Sequence, residues 1–214
     1  MTGLQKTVAL CLVFIAVVVG LFVHTVMRTP VLSEEQLREQ GVFILPRPRE
    51  ITAFELATHS GEPFTLESVA GHWTFVFFGF TNCPDVCPTT MAVMGQARRA
   101  LGDGEAFQGV LVSVDPERDD AQTLAAYTTA FAPDFMGVRG DREQTAAFAA
   151  QVNVAFAKMP VLDAQGESDP DAYQVDHTAN IVIINPRGHY HGFIKYPQQA
   201  DTIVAAFRSL VANF

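Results

Sequence analysis

Cysteine is scarce in this chain, three residues in 214, so the disulfide framework that staples small secreted domains is excluded. Basic charge is scarce as well. Fourteen Lys and Arg stand against 23 Asp and Glu, for a formal net charge of -9, and that deficit speaks against nucleic acid, whose binding rests on neutralised phosphates. An acidic balance instead keeps a domain soluble or suits a basic protein partner. No segment repeats at a fixed period, which sets aside solenoid and propeller architectures.

What the chain does have is one long apolar run. Residues 8–27, VALCLVFIAVVVGLFVHTVM, contain no Asp, Glu, Lys or Arg, and about 20 such residues cross a bilayer as a helix. The run exceeds the ~7–15-residue core of a signal peptide and no clear small-x-small cleavage site follows it, so it reads as a retained transmembrane helix. Cys11 within it reads as a small packing residue. Lys6 before the run and Arg28 and Arg38 after it leave orientation undecided by charge. The chain divides accordingly into a tail (1–7), a transmembrane helix (8–27), a tether (28–50) and a folded domain (51–214). The tether is read from Pro30, Pro46 and Pro48 set among charges, with a short helical piece over 33–40.

Within the domain, residues 51–58 and 63–66 flank His59-Ser60-Gly61-Glu62 as a hairpin, and 73–80 form an uninterrupted apolar strand suited to burial on both faces. A helix follows over 88–101, a strand over 107–114, a helix over 121–130, a short strand over 135–138 and a helix capped by Asp141 through 151. Residues 163–171, rich in Gly, Pro, Ser and acid, read as a mobile surface loop. Strands over 179–185 and 189–196 then make a closing hairpin, and 198–211 a final helix. This order fits an α/β layer fold with a mixed sheet flanked by helices.

The chemistry gathers at Thr81-Asn82-Cys83-Pro84-Asp85-Val86-Cys87-Pro88, two thiols one tight turn apart straight after the apolar strand. A cysteine pair at the first strand-to-helix junction makes the fold thioredoxin-like, and ligands of such sheets gather beyond the strand ends. Pro88 suits the first helical residue, which places Cys87 at the helix start, where free N–H groups and the helix dipole stabilise a thiolate. The spacing allows a disulfide or a bite on one soft metal ion, and it does not choose between them. His177, in Tyr173-Gln174-Val175-Asp176-His177-Thr178, precedes another apolar strand. In thioredoxin-like folds that slot faces the cysteine turn, commonly as a cis-proline, so a coordinating group replaces a steric one. Asp176 either orients the ring or simply faces solvent. His24 lies in the span, His59 and His72 fall in turns, and His189 with His191 shares one strand face.

Three stretches, Phe78 through Pro88, Val112-Ser113-Val114-Asp115-Pro116-Glu117-Arg118-Asp119, and Val175-Asp176-His177-Thr178, resemble in identity and order the signature set of the SCO/SenC family, membrane-tethered copper chaperones of cytochrome c oxidase assembly. The similarity runs from about Ile51 to the C terminus. It implies a thioredoxin-like domain held by a single span on the outer, periplasmic side of the cytoplasmic membrane, or facing the mitochondrial intermembrane space. It also implies copper on Cys83, Cys87 and His177, taken from an upstream donor and delivered to the dinuclear copper site of oxidase subunit II or another exported copper protein. Two thiolates and an imidazole suit Cu(I), and Cu(II) with an added oxygen donor is also open. The alternative is a thiol-disulfide oxidoreductase in which Cys83 attacks a target disulfide and Cys87 resolves it. A peroxidase lacks any visible peroxide-polarising group. The His189-Tyr190-His191 stretch departs from the family's closing hairpin and raises a second metal-binding feature as an expectation.

Overall fold

The computed structural model describes residues 3–27, 31–162 and 168–214. The first of these stretches is the helix α1 (Gly3–Met27). Among the described residues no helix is long and apolar enough to cross a membrane.

The domain that follows is organised by its most apolar strand. β4 (Trp73–Gly79) is buried at every residue, which a strand can sustain only when both faces and both edges are covered. It pairs in parallel with β5 (Phe107–Ser113) and antiparallel with β9 (Ile181–Ile184). β5 pairs in parallel with β6 (Met136–Arg139), and β9 pairs antiparallel with β10 (His189–Ile194). With β1 (Val42–Glu50), β2 (Leu56–Thr58) and β3 (Pro63–Phe64), the order across the sheet is β1-β10-β9-β4-β5-β6-β2-β3. The mixed α/β sheet read from the element order is therefore present.

Helices cover this sheet because their apolar residues recur at helical spacing. α4 (Val86–Leu101) buries Cys87, Thr90, Met91, Met94, Ala97 and Leu101, one stripe at steps of three and four, and it packs against α7 (Ala200–Asn213). α6 (Arg142–Gln151) opens on the expected Asp141, whose side chain accepts from the Gln144 N–H in a reciprocal capping box. α5 (Ala121–Thr129) is capped by Asp120, whose side chain accepts from the Thr123 N–H. The short α2 (Glu34–Glu39) and α3 (Leu66–Val69) complete the helices of the described residues.

Two stretches differ from the sequence reading. The short helix expected over 33–40 is present as α2, capped by Ser33, but the rest of the tether expected over 28–50 is in part structured: Leu32 N–H donates to Ser209 Oγ at 2.8 Å, and residues 42–50 form β1 against β10. Pro46 and Pro48 suggested an open linker, yet β1 lies at the sheet edge, where a residue without an N–H costs no ladder bond. The second is the loop expected over 163–171. Residues 163–167 lie outside the described residues, but from Ser168 the chain is already β8 (Ser168–His177), paired antiparallel with β7 (Phe156–Leu162) as a separate two-stranded sheet. Pro160, Pro170 and the acids hid this hairpin, whose attachment depends on side chains far away in sequence.

The β1 edge makes one test of this packing. A methyl group at Gly192 would run into the main chain of Phe43 and Ile44, which no rotamer change relieves. Gly192→Ala is expected to lower stability by about 1–3 kcal/mol, read as an earlier thermal unfolding transition. A transition at the parental temperature would show that β1 is not held where the structure places it.

Candidate metal centre

Gly79 closes β4 and brings the chain to the cysteine turn. A Cβ there would stand 3.0 Å from Cys87 Sγ and 2.8 Å from the Phe77 ring, so glycine is what lets the sulfur settle against the strand end. Phe80 is buried below the turn, and Cys83 N–H donates to the Phe80 carbonyl at 3.3 Å. Cys83 is half-buried and Cys87 fully buried, both as free thiols.

The helix start acts on the two sulfurs differently from the sequence expectation. Cys87 N–H, in the first turn of α4, donates to Cys83 Sγ at 3.3 Å. The helix donor is thus spent on Cys83. Burial, with further contributions from Cys83, pushes the Cys87 thiol far above its ordinary range, because a desolvated thiolate loses more than the helix end returns. Stabilisation of a Cys87 thiolate by position alone is corrected on that ground.

His177 arrives at the end of β8, opposite Phe156 across the hairpin. Its Nδ1 lies 3.2 Å from the Thr178 carbonyl, an acceptor only, so Nδ1 carries the proton and Nε2 offers a lone pair. Nε2 stands 3.4 Å from Cys87 Sγ. Phe77 and Phe80 present themselves nearly perpendicular to the imidazole, at 5.7 and 5.8 Å between ring centres. Burial holds the ring below the ordinary histidine value of 6.5, against the opposing effects of the Thr178 carbonyl and Asp176. Asp176 itself is exposed, and the hydrogen-bond partner that orients the ring is the Thr178 carbonyl.

The donor atoms of Cys83, Cys87 and His177 all lie within 4.8 Å of one another, and this is the only such metal-holding group among the described residues. Cys83 and His177 open onto a groove of about 350 Å³ that Phe80, Val86, Arg118 and Tyr173 also line. Cys87 is closed off behind them. The remaining histidines serve elsewhere or lie outside description. The His59 ring accepts from Gly137 N–H at 2.9 Å, His72 lies against the Ala70 carbonyl, and His191 meets Trp73 edge-on at 4.9 Å beside Asn185. As for the second metal-binding feature expected on β10, among the described residues no group of three or more metal donors includes His189 or His191, and the His191 ring is taken up by Trp73 and Asn185. The side chain of His24 lies outside the described residues.

Sequence reasoning left Thr81, Asp115, Arg118, Asp119 and Tyr173 without roles. Asp115 and Asp119 are completely buried, and two acids directly after the apolar strand β5 were the available signal. Their partners lie 38 and 58 residues away, beyond what local pattern reveals.

Comparison with known proteins agrees with this site. A family model described as SCO1/SenC matches residues 45–212. A Stutzerimonas stutzeri protein named for copper binding is 33% identical over 182 residues, covering 83% of this chain and 84% of that protein. The mitochondrial SCO2 homolog of Mus musculus is 34% identical over 164 residues, 75% of this chain, and the chain spans 62% of its length. Among solved structures, Bradyrhizobium japonicum ScoI with copper bound superposes with a TM-score of 0.64 at 31% identity, covering 74% of this chain and 98% of that one.

The neutral imidazole carries a pH signature. Below 6.5 the unfolded chain protonates His177 while the folded chain resists, so the stability present above 6.5 is lost as pH falls toward the lower folded value. His191, also lowered by burial, acts in the same window. Denaturant melts of His177→Gln are therefore expected to show a shallower acid-side decline than the parent. Equal declines would place the ring in water.

Proposed function

The chain belongs to the SCO1/SenC family, and we propose from that premise that it is a membrane-tethered copper carrier. It holds one copper on Cys83, Cys87 and His177 and passes it to the dinuclear copper site of cytochrome c oxidase subunit II or to another exported copper protein. The observation that carries this reading is the convergence of two thiols and a neutral imidazole nitrogen within 4.8 Å. Such a soft, low-coordinate donor set fits Cu(I), whereas zinc would ask for a fourth ligand. Cu(II) fits with an oxygen donor added from the groove.

Release is supported by how the donors are mounted. Cys83 and Cys87 hang from the central strand and α4, while His177 ends a hairpin outside the main sheet. His177 can leave without breaking the core, so an acceptor's ligand displaces it first. Copper reaches the buried Cys87 only by displacing a tightly held proton, so loading strengthens as pH rises.

The membrane anchor of this reading is the transmembrane helix expected over residues 8–27. Leu10, Phe14, Ile15, Val18 and Leu21 of α1 are exposed, and a helix apolar all round has no aqueous face. The reading is a single pass through the cytoplasmic membrane with the domain on its outer side, where an upstream donor supplies copper.

One observation favours a second activity. Cys83 is the more accessible sulfur and accepts the helix N–H, which suits attack on a disulfide with Cys87 resolving the mixed disulfide. The dithiol would give up two electrons and two protons to an oxidised target and end as the Cys83–Cys87 disulfide.

The test is Cu(I) stoichiometry and affinity of the full chain in detergent, reduced and without oxygen. One copper per chain is expected, abolished by Cys83→Ser or Cys87→Ser and weakened about tenfold or more by His177→Ala. Binding indifferent to His177 would overturn the carrier and make the cysteines a redox pair.

A further inference from the structure

The cysteine turn and the histidine strand belong to different parts of the fold, yet one loop touches both. Between β5 and α5 the chain passes through Asp115, Glu117, Arg118 and Asp119. Asp119 accepts from Thr81 Oγ1–H at 2.6 Å and Thr81 N–H at 3.2 Å, at the start of the cysteine turn, and from Ser113 Oγ–H at 2.6 Å. Ser113 Oγ accepts in turn from Asp115 N–H at 3.1 Å. Asp115 then accepts from the Tyr173 hydroxyl at 2.8 Å and pairs with Arg118. An unbroken series of hydrogen bonds runs from Thr81 through Asp119, Ser113 and Asp115 to Tyr173, and none of its members is a metal donor.

The Tyr173 end is built as a clasp. The Arg118 guanidinium lies 4.0 Å and Lys158 Nζ 4.2 Å from the Tyr173 ring centre, and Lys158 pairs with Glu117 at 2.8 Å. Tyr173 stands four residues before His177, about 13 Å along the strand, and on the same side of it. At the other end of His177 the hairpin is closed by Thr178 N–H donating to the Ala155 carbonyl at 2.9 Å. The strand that aims His177 is therefore held at two points, and the hairpin makes no ladder with the main sheet. Two wholly buried carboxylates are costly unless their partners are fixed, and these partners sit one on each half of the metal centre.

We propose that the loop between β5 and α5 sets the register of the metal centre, with Asp119 the positioning residue of the cysteine turn and Tyr173 the positioning residue of His177. The copper arm of its test rests on the carrier reading above. Loss of the Tyr173 hydroxyl frees the hairpin to pivot about Thr178 and turns Nε2 away from the sulfurs, while the cysteine pair stays in place. Loss of the Asp119 carboxylate slackens the cysteine turn and leaves the hairpin clasped.

The experiment uses the full chain in detergent with Tyr173→Phe and Asp119→Asn, each alone and combined with His177→Ala. In the metal-free reduced protein, amide hydrogen exchange in β7 and β8 is expected to quicken roughly fivefold in Tyr173→Phe, as for one net hydrogen bond, with the amides of Thr81 and Cys83 at parental rates. Asp119→Asn should show the reverse. If Asp119→Asn fails to fold, Thr81→Val removes the hydroxyl donor of the same bond and carries that half of the test. Cu(I) affinity is then measured by competition with bathocuproine disulfonate. Tyr173→Phe should weaken binding roughly fivefold in the parent and leave the His177→Ala variant unchanged, whereas the cysteine-turn variant should weaken both. Exchange that quickens in both regions in either variant would overturn the proposal, as would an equal loss of affinity from Tyr173→Phe with and without His177. Separate exchange patterns in a chain that binds no copper would uphold the register and overturn the carrier.

Discussion

The contact between the Cys87 sulfur and Gly79 is the one from which the rest of the metal centre follows. With no Cβ at Gly79, the sulfur packs against the end of the most deeply buried strand. That position removes it from water and raises the cost of its charge. It also leaves the sulfur 3.4 Å from the one side of the imidazole that carries no proton. Any larger residue at Gly79 would push Cys87 outward, loosen the first turn of α4 and move Cys83 with it, since Cys83 Sγ is bound to the Cys87 N–H.

Burial and the helix end pull the two thiols in opposite directions, and magnitudes decide the outcome. A helix terminus stabilises a nearby anion by about 0.3–1 kcal/mol when exposed, and up to ~2 kcal/mol when partly buried. Desolvating a charged group without a partner costs several kcal/mol. For Cys87 the second effect is larger, so its thiolate needs a cation as partner. A soft metal ion is such a partner. Cys83 meets the groove and the helix donor together, so the pair divides into an outer sulfur that exchanges and an inner one that holds.

The legible parts of the fold were those whose cause is local. The run Trp73 to Phe80 announced a buried strand, the stretch opened by Pro88 announced a helix after the cysteines, and Asp141 with Gln144 announced the start of α6. Cys83, Cys87 and His177 were legible because each sits at an element end where the fold must turn. What stayed hidden depends on distant partners. β1 looked like a linker because its prolines are tolerable only at a sheet edge, and no residue within it shows that it lies there. The start of β8 was read into a loop over 163–171 because Tyr173, Arg118 and Asp115 hold that strand from across the molecule. The proton affinity of Cys87 was misjudged because a helix start is visible in sequence and its depth is not.

The unequal mounting of the three donors bears on how cargo leaves such a site. A centre with all ligands on one rigid element holds metal well but must distort as a whole to let it go. Here two donors share the core and the third ends a satellite hairpin, so one bond can open while two remain. The groove exposes the donors in the same order, His177 and Cys83 before Cys87. On the carrier reading proposed above, an incoming ligand would replace His177, then Cys83, leaving Cys87 as the last donor to release the metal. At that point the buried sulfur must either recover a proton or pair with Cys83. Protonation would complete simple transfer, whereas pairing with Cys83 needs a disulfide of the acceptor to take up the two electrons and two protons of the dithiol. The same arrangement of thiols is therefore compatible with both proposed activities, carriage and disulfide exchange.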